Sequence, residues 1–159
     1  MLFDVKIVSV GKMKEHYFAD ACGEYQKRLS KFCSFSVSEI DEAKLFSETE
    51  GEIRGALQKE GESICKKIEG FVVALCVEGK SLSSEALSEL IKTIPEKTGR
   101  NKISFVIGSS HGLCDEVKKR ADFQLSLSAL TLPHQLARVV LTEQIYRAFC
   151  IMEGTKYHK

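Results

Sequence analysis

The feature that most constrains this chain is a repeated change of hydrophobic period. Short apolar runs of strand length alternate with longer stretches whose apolar residues recur every three or four positions. Phe3, Val5, Ile7, Val8 and Val10 form a buried strand closed by Gly11. Tyr17, Ala21, Tyr25 and Leu29 then mark one face of a helix that runs to about Lys31. Cys33, Phe35 and Val37 alternate with serines, the period of a second strand. An acidic connector over 41–50 leads to a helix striped by Ile53, Leu57, Ile64 and Ile68. Residues 71–77 are continuously apolar, as in a central parallel strand covered on both faces. After Gly79 and Lys80, Ser83 or Ser84 caps a helix bearing Leu87, Leu90, Ile91 and Ile94, which Pro95 ends. Residues 103–107 make another strand, Asp115 caps a short helix to Ala121, and residues 123–127 make the last strand. Pro133 begins a long helix that stops near Gly154. Strands alternating with helices predict an α/β protein: one domain over residues 1–159, an open and mostly parallel sheet with helices on both faces.

Composition narrows the function classes. With 43% hydrophobic and 28% charged residues over 159 positions, the chain can bury a full core, which excludes a disordered protein. Lys plus Arg number 23 against 22 Asp plus Glu, so bulk electrostatic gripping of nucleic acid is excluded and any RNA contact must be local. The charge is uneven: residues 12–31 carry five basic and three acidic side chains, and residues 39–62 carry three and eight. Six cysteines show no CxxC pair and no His at ligand spacing, so no metal site is expected. The opening MLFDVKIVSV lacks the regions of a secretory signal, and no apolar run reaches membrane-spanning length, so the expected compartment is the cytosol.

Ligands of open parallel sheets collect at the carboxyl ends of the strands. Three segments should meet there: LCVEGK from Leu75, GSSHG from Gly108, and LSALTLP from Leu127. Gly108 and Gly112 would let backbone approach a ligand closely. No GxGxxG and no GxxxxGK[ST] is present, so the usual dinucleotide and nucleoside triphosphate fingerprints are missing. His134 follows Pro133 at a helix start, where a helix dipole disfavours an imidazolium; it is a proton acceptor or a histidine bonded into the helix start. Arg138, one turn on, is placed to reach a phosphate, whereas Arg147 is answered by Glu143 four residues earlier. Tyr157, His158 and Lys159 join an aromatic platform to cationic donors, suited to RNA, or form a flexible basic tail. The last helix is apolar on more than one side, with Leu136, Val139 and Val140 widening the stripe of Ala137, Leu141, Ile145, Ala148 and Met152; it is sunk in the core or covered by a partner subunit.

The closing segment LSLSALTLPHQLARVVLTEQIYRAFCIMEGTKYHK resembles the C-terminal signature of the ribosomal RNA large subunit methyltransferase H family, within the SPOUT or α/β-knot methyltransferases. VSVGKMKE, LCVEGK and FVIGSSHGL match that family in order and spacing, so the resemblance covers essentially the whole length. It implies a parallel α/β sheet whose C-terminal segment threads a trefoil knot. It implies S-adenosylmethionine held largely by backbone at Leu75, Gly108, Leu127, Ser128, Ala129, Leu130, Thr131 and Leu132. The implied reaction is methylation at N3 of a pseudouridine in 23S ribosomal RNA, in the assembled ribosome, by a homodimer whose site uses both subunits. His134 is then the leading general base and His158 its rival, Arg138 positions a phosphate or a base carbonyl, and Tyr157 stacks on a base. Two positions depart from the family: Ser109 replaces a glycine and fits only at negative φ, and Cys76 replaces an acid. The competing readings are a non-catalytic RNA-binding module of ribosome assembly and a SPOUT methyltransferase acting on transfer RNA.

Overall fold

The computed structural model describes residues 2–159. Ten elements alternate along the chain: β1 (Phe3–Val10), α1 (His16–Leu29), β2 (Cys33–Ile40), α2 (Glu50–Cys65), β3 (Phe71–Ser81), α3 (Ser84–Thr98), β4 (Lys102–Ile107), α4 (Asp115–Arg120), β5 (Phe123–Ser126) and α5 (His134–Met152). The strands form one sheet in the order β2-β1-β4-β3-β5, and every neighbouring pair is parallel.

The strand period of two divides the core. Val5, Ile7, Val73, Ile103 and Phe105 face a layer built by α1, α3 and α5, where Leu29, Ile91, Ile94, Leu141 and Ile145 are buried against them. Val8, Val10, Val72, Ala74 and Val106 point the other way, toward Ile64 of α2 and Val117 of α4. Helices therefore cover both faces, and the inner strands β1, β4 and the first half of β3 are largely apolar on both sides as expected of a parallel sheet, whereas the edge strand β2 alternates with exposed serines. α5 packs against both α1 and α3 and buries eight residues, from Ala137 to Cys150, which is why its apolar stripe is so broad. Leu136, Val139 and Val140 remain only partly covered.

Local chemistry moves several boundaries from those expected. Pro95 does not end α3, because it lies in the last turn and its carbonyl still accepts from the Gly99 amide at 2.8 Å; Gly99, at φ +66°, ends the helix instead. Ser83 is the cap of that helix, its side chain accepting from the Ala86 amide. Asp115 is the first residue of α4 and Cys114 stands at the cap position. The largest difference is at β3. It continues to Ser81 through a register shift, so that Leu75 and Lys80 both oppose Leu125 of β5, and the residues between them leave the ladder. Gly79 makes this possible: a Cβ there would lie 2.7 Å from the Gln124 carbonyl oxygen and 2.9 Å from the Leu125 carbonyl carbon.

Gly79→Ala should therefore lower the stability of the fold by about 1–3 kcal/mol in urea unfolding, because rigid backbone must move. Gly23→Ala, in α1 with open space where its methyl would go, should instead raise stability by about 0.4–1 kcal/mol.

Candidate active site

β4, β3 and β5 are neighbours, so their carboxyl ends emerge side by side at one edge. The loops that follow enclose a cavity of about 340 Å³, within the range of roughly 300–1,000 Å³ usual for small-molecule sites. Leu75 and Gly108 line it, and so do Leu127, Ser128, Leu130, Thr131 and Leu132 from the loop after β5. Ala129 is in the same loop but does not line the cavity.

The loop after β4 is a tight turn. The Gly112 amide donates to the Ser109 carbonyl at 2.9 Å, and Gly112 takes φ +91°. A Cβ on Gly108 would meet the Gly112 carbonyl oxygen at 2.4 Å, so the turn folds onto bare backbone. Among the described residues only glycines have positive φ; Ser109 therefore sits in a conformation open to any residue, and its replacement of a glycine is compatible with the turn. In the loop after β5, the Leu130 amide donates to the Ser128 hydroxyl at 2.9 Å, and Ser126 donates to the Ser128 carbonyl at 3.2 Å.

Val77 is 73% exposed and Leu130 76% exposed, although both are large and apolar and both line the cavity. Exposed apolar side chains flanking a cleft favour a ligand with a flat, weakly polar part. Cys76 forms a buried wall, with its thiol pushed upward mainly by burial. The acid missing at that position returns two residues later: Glu78 lines the cavity, pairs with Lys118 of α4 at 2.5 Å, and is held below its ordinary range mainly by that bond. Sequence reasoning overlooked Glu78 and Lys118. The signal was in LCVEGK, but a bulge rather than a plain strand end was needed to turn Glu78 inward. Among the described residues no group of three or more His, Cys, Asp or Glu side chains could hold a metal ion.

His134 lines the cavity as the first residue of α5. The segment after β1, residues 11–15, is tied to the start of this helix. A Cβ on Gly11 would be 3.4 Å from His134 Nε2, and Gln135 Oε1 accepts from the Lys14 and Glu15 amides at 3.0 and 3.2 Å. Arg138 has a different place from the one expected. It is 4% exposed, and its guanidinium donates to Glu39 at 2.9 Å, to the Ser9 hydroxyl at 3.1 Å and to the Gly11 carbonyl at 3.0 Å. Those partners hold both terminal nitrogens inside the fold while Nε has none, so Arg138 joins β1, β2 and α5.

The tail is docked rather than loose, and it is away from the cavity in this chain. The Tyr157 hydroxyl donates to Glu143 at 2.9 Å, its ring meets Tyr146 edge-on at 4.7 Å, and the Arg147 guanidinium lies 4.7 Å above it. Burial pushes the Tyr157 phenol upward. His158 contacts Glu85 of α3 at 2.8 Å and Arg147 at 3.3 Å. The expected pair of Arg147 with Glu143 is present at 2.5 Å. Glu143 lies nine residues beyond His134, roughly 14 Å along the helix at 1.5 Å per residue. Neither Tyr157 nor His158 lines the cavity.

Comparison with known proteins agrees with this architecture. A family model described as "Predicted SPOUT methyltransferase" matches residues 3–158. A Streptococcus pyogenes serotype M12 protein (strain MGAS2096) named Ribosomal RNA large subunit methyltransferase H is 50% identical over 158 residues, covering 98% of this chain and 99% of that protein. Among solved structures, a probable methylase family protein from Haemophilus influenzae Rd KW20 aligns with TM-score 0.55 at 14% identity, covering 100% of this chain and 72% of the other. The tRNA (m1G37) methyltransferase from Aquifex aeolicus aligns with TM-score 0.56 at 14% identity, covering 98% and 73%. These two likenesses establish a shared fold.

Glu39→Ala should destabilise the protein by about 1–3 kcal/mol, since it strands a buried guanidinium. The double variant Glu39→Ala with Arg138→Met should recover most of that loss in urea unfolding; a double variant no more stable than the single would contradict the pairing.

Proposed function

The chain belongs to the SPOUT methyltransferase family, and on that premise we propose that it transfers a methyl group from S-adenosylmethionine to N3 of a pseudouridine in large-subunit ribosomal RNA. The observation that carries the reading is the convergence of three backbone-rich loops on one cavity, with His134 at its edge, in a chain half identical to a named methyltransferase over nearly its full length. The cavity suits the donor: Val77 and Leu130 offer apolar surface to an adenine, and Gly108 lets the turn after β4 close on the Gly112 carbonyl. Leu75, Gly108, Leu127, Ser128, Leu130, Thr131 and Leu132 would hold it, with Ala129 shaping the same loop. Glu78 is the acid available to the ribose hydroxyls in place of the one absent at Cys76.

S-adenosylmethionine would supply the methyl carbon, with the neutral thioether of S-adenosylhomocysteine as the leaving group of an in-line displacement. The protein's work is alignment and proton removal. The N3 of pseudouridine carries a proton at neutral pH. As the N3–carbon bond forms and the sulfur–carbon bond breaks, His134 accepts that proton. Arg138 acts here by fixing the loop after β1 against α5 and so setting where His134 stands. Lys12 and Lys14 in that loop are exposed and free of ion pairs among the described residues, available to RNA phosphates beside His134. The active form we propose is a homodimer that covers Leu136, Val139 and Val140 of α5. The docked tail of a second copy would then supply Tyr157 and His158, which are remote from the cavity of their own chain. The segment after β5 would thread the trefoil knot of the family, the whole chain would be one domain, and the working compartment would be the cytosol. No helix among the described residues is long and apolar enough to cross a membrane. A transfer-RNA target has only a fold likeness at 14% identity behind it.

Methyl transfer assays on ribosomes and on bulk transfer RNA, each with and without pseudouridylation, should give product only with pseudouridylated ribosomes. His134→Ala should lower single-turnover rate by about 10²–10⁴-fold while leaving S-adenosylmethionine affinity within a few-fold by calorimetry. An unchanged rate in that variant would remove His134 from proton transfer.

A further inference from the structure

A second cleft, of about 280 Å³, lies one helical turn from His134. Ala19, Gly23 and Gln26 of α1, Val37 and Glu39 of β2, and Arg138 of α5 line it. Gly11 links it to the candidate active site: a Cβ there would be 3.4 Å from His134 Nε2, and its carbonyl accepts from Arg138 Nη2 at 3.0 Å. Arg138 follows His134 by four residues of α5, roughly 6 Å at 1.5 Å per residue. The fold leaves polar groups of this cleft unused. Arg138 is 4% exposed, both its terminal nitrogens are bonded, and Nε is a buried donor with no acceptor. A donor buried in this way calls for an explanation. Glu39 accepts from the Met13 amide at 3.1 Å and from Arg138 Nη1 at 2.9 Å through one oxygen, Oε2, and among the described residues its Oε1 makes no bond. One ion pair therefore brings an N–H and a carboxylate oxygen to the same cleft. The α1 wall is low. Gly23 is mid-helix, where glycine weakens the helix, it has no positive φ to require glycine, and a Cβ there would meet nothing within 4 Å.

An N–H donor paired with a carboxylate acceptor complements a planar group that carries a carbonyl next to a ring N–H. Uracil and guanine have that edge. Cytosine and adenine have an amino group and an unprotonated ring nitrogen instead, which would set donor against donor and acceptor against acceptor. The Glu39 carboxylate disfavours a phosphate inside the cleft, while the exposed Lys12 and Lys14 beside it favour the backbone that carries such a base. We propose that this cleft receives one unpaired uracil or guanine base flanking the target nucleotide, its carbonyl accepting from Arg138 Nε and its ring N–H donating to Glu39 Oε1. The inference rests on the chain acting on RNA beside His134, and it adds a subsite that reads a neighbouring base.

The test compares binding of the native full chain to labelled hexauridylate and hexacytidylate RNA by fluorescence anisotropy at one salt concentration. The two share a backbone, so phosphate contacts cancel in the comparison. Hexauridylate should bind about tenfold more tightly, and Gly23→Leu, which places a side chain over the cleft, should bring the two to within about twofold. His134→Ala should keep the preference, which separates this cleft from the place of the target base. Gly55→Leu, on α2 with equally open space, is the control and should keep it too. In turnover on pseudouridylated ribosomes, Gly23→Leu should raise KM for ribosomes while S-adenosylmethionine affinity stays within about twofold. Should Gly23→Leu fold poorly, Ala19→Leu, one turn earlier in the same cleft, carries the same expectations. Equal binding of the two RNAs by the native chain, or a preference that survives in both cleft variants, would overturn the proposal. So would a change of oligomeric state in Gly23→Leu by sedimentation, since the cleft would then be a contact between copies. A native chain that keeps the preference but transfers no methyl group to ribosomes would overturn the functional reading instead.

Discussion

The site depends on close backbone approach at the carboxyl edge of the sheet. Gly79 lets the end of β3 press onto β5, and Gly108 lets the turn after β4 close on its own carbonyl. A side chain at either place would collide with peptide atoms, which cannot rotate away. Because β4, β3 and β5 are adjacent, these two contacts bring three loops from distant parts of the chain to one cavity. The bulge between Leu75 and Lys80 then aims Val77 and Glu78 into it. The sheet supplies the frame, and the glycines decide whether the loops can meet.

A second constraint orients the chemistry. His134 begins α5, a helix fixed along its length by burial against α1 and α3. At its start, Gln135 holds the amides of Lys14 and Glu15, and Arg138 binds Ser9, Gly11 and Glu39. The amino end of α5 and the loop after β1 therefore form a rigid corner beside the cavity. The proton transfer proposed for His134 tolerates little positional freedom, and this corner holds the residue without any covalent link.

Much of this was legible from residues alone, and the physical reason differs from case to case. Strand and helix positions followed the periods of Val5 to Val10 and of Leu87 to Ile94, because burial on two faces leaves a strong pattern. The loops at Leu75, Gly108 and Leu127 were legible because parallel sheets present their carboxyl ends together. The burial of Arg138 was not legible because its partner, Glu39, is 99 residues away, and ion pairs of that kind have no local signature. Pro95 was read as a stop because its place in the last turn depends on Gly99 four residues later. Glu60 lay within an acidic stretch, and only the packing of α2 against α4 accompanies its burial in the fold. The chemistry itself, methyl transfer, rests on family likeness.

The most direct measurement of the central claim is amide hydrogen exchange of the native chain with and without saturating S-adenosylmethionine. Slower exchange should appear together in three segments, 75–80, 108–113 and 127–132, with little change in α2. Protection confined to one segment, or found elsewhere, would show that the three loops do not form one binding site.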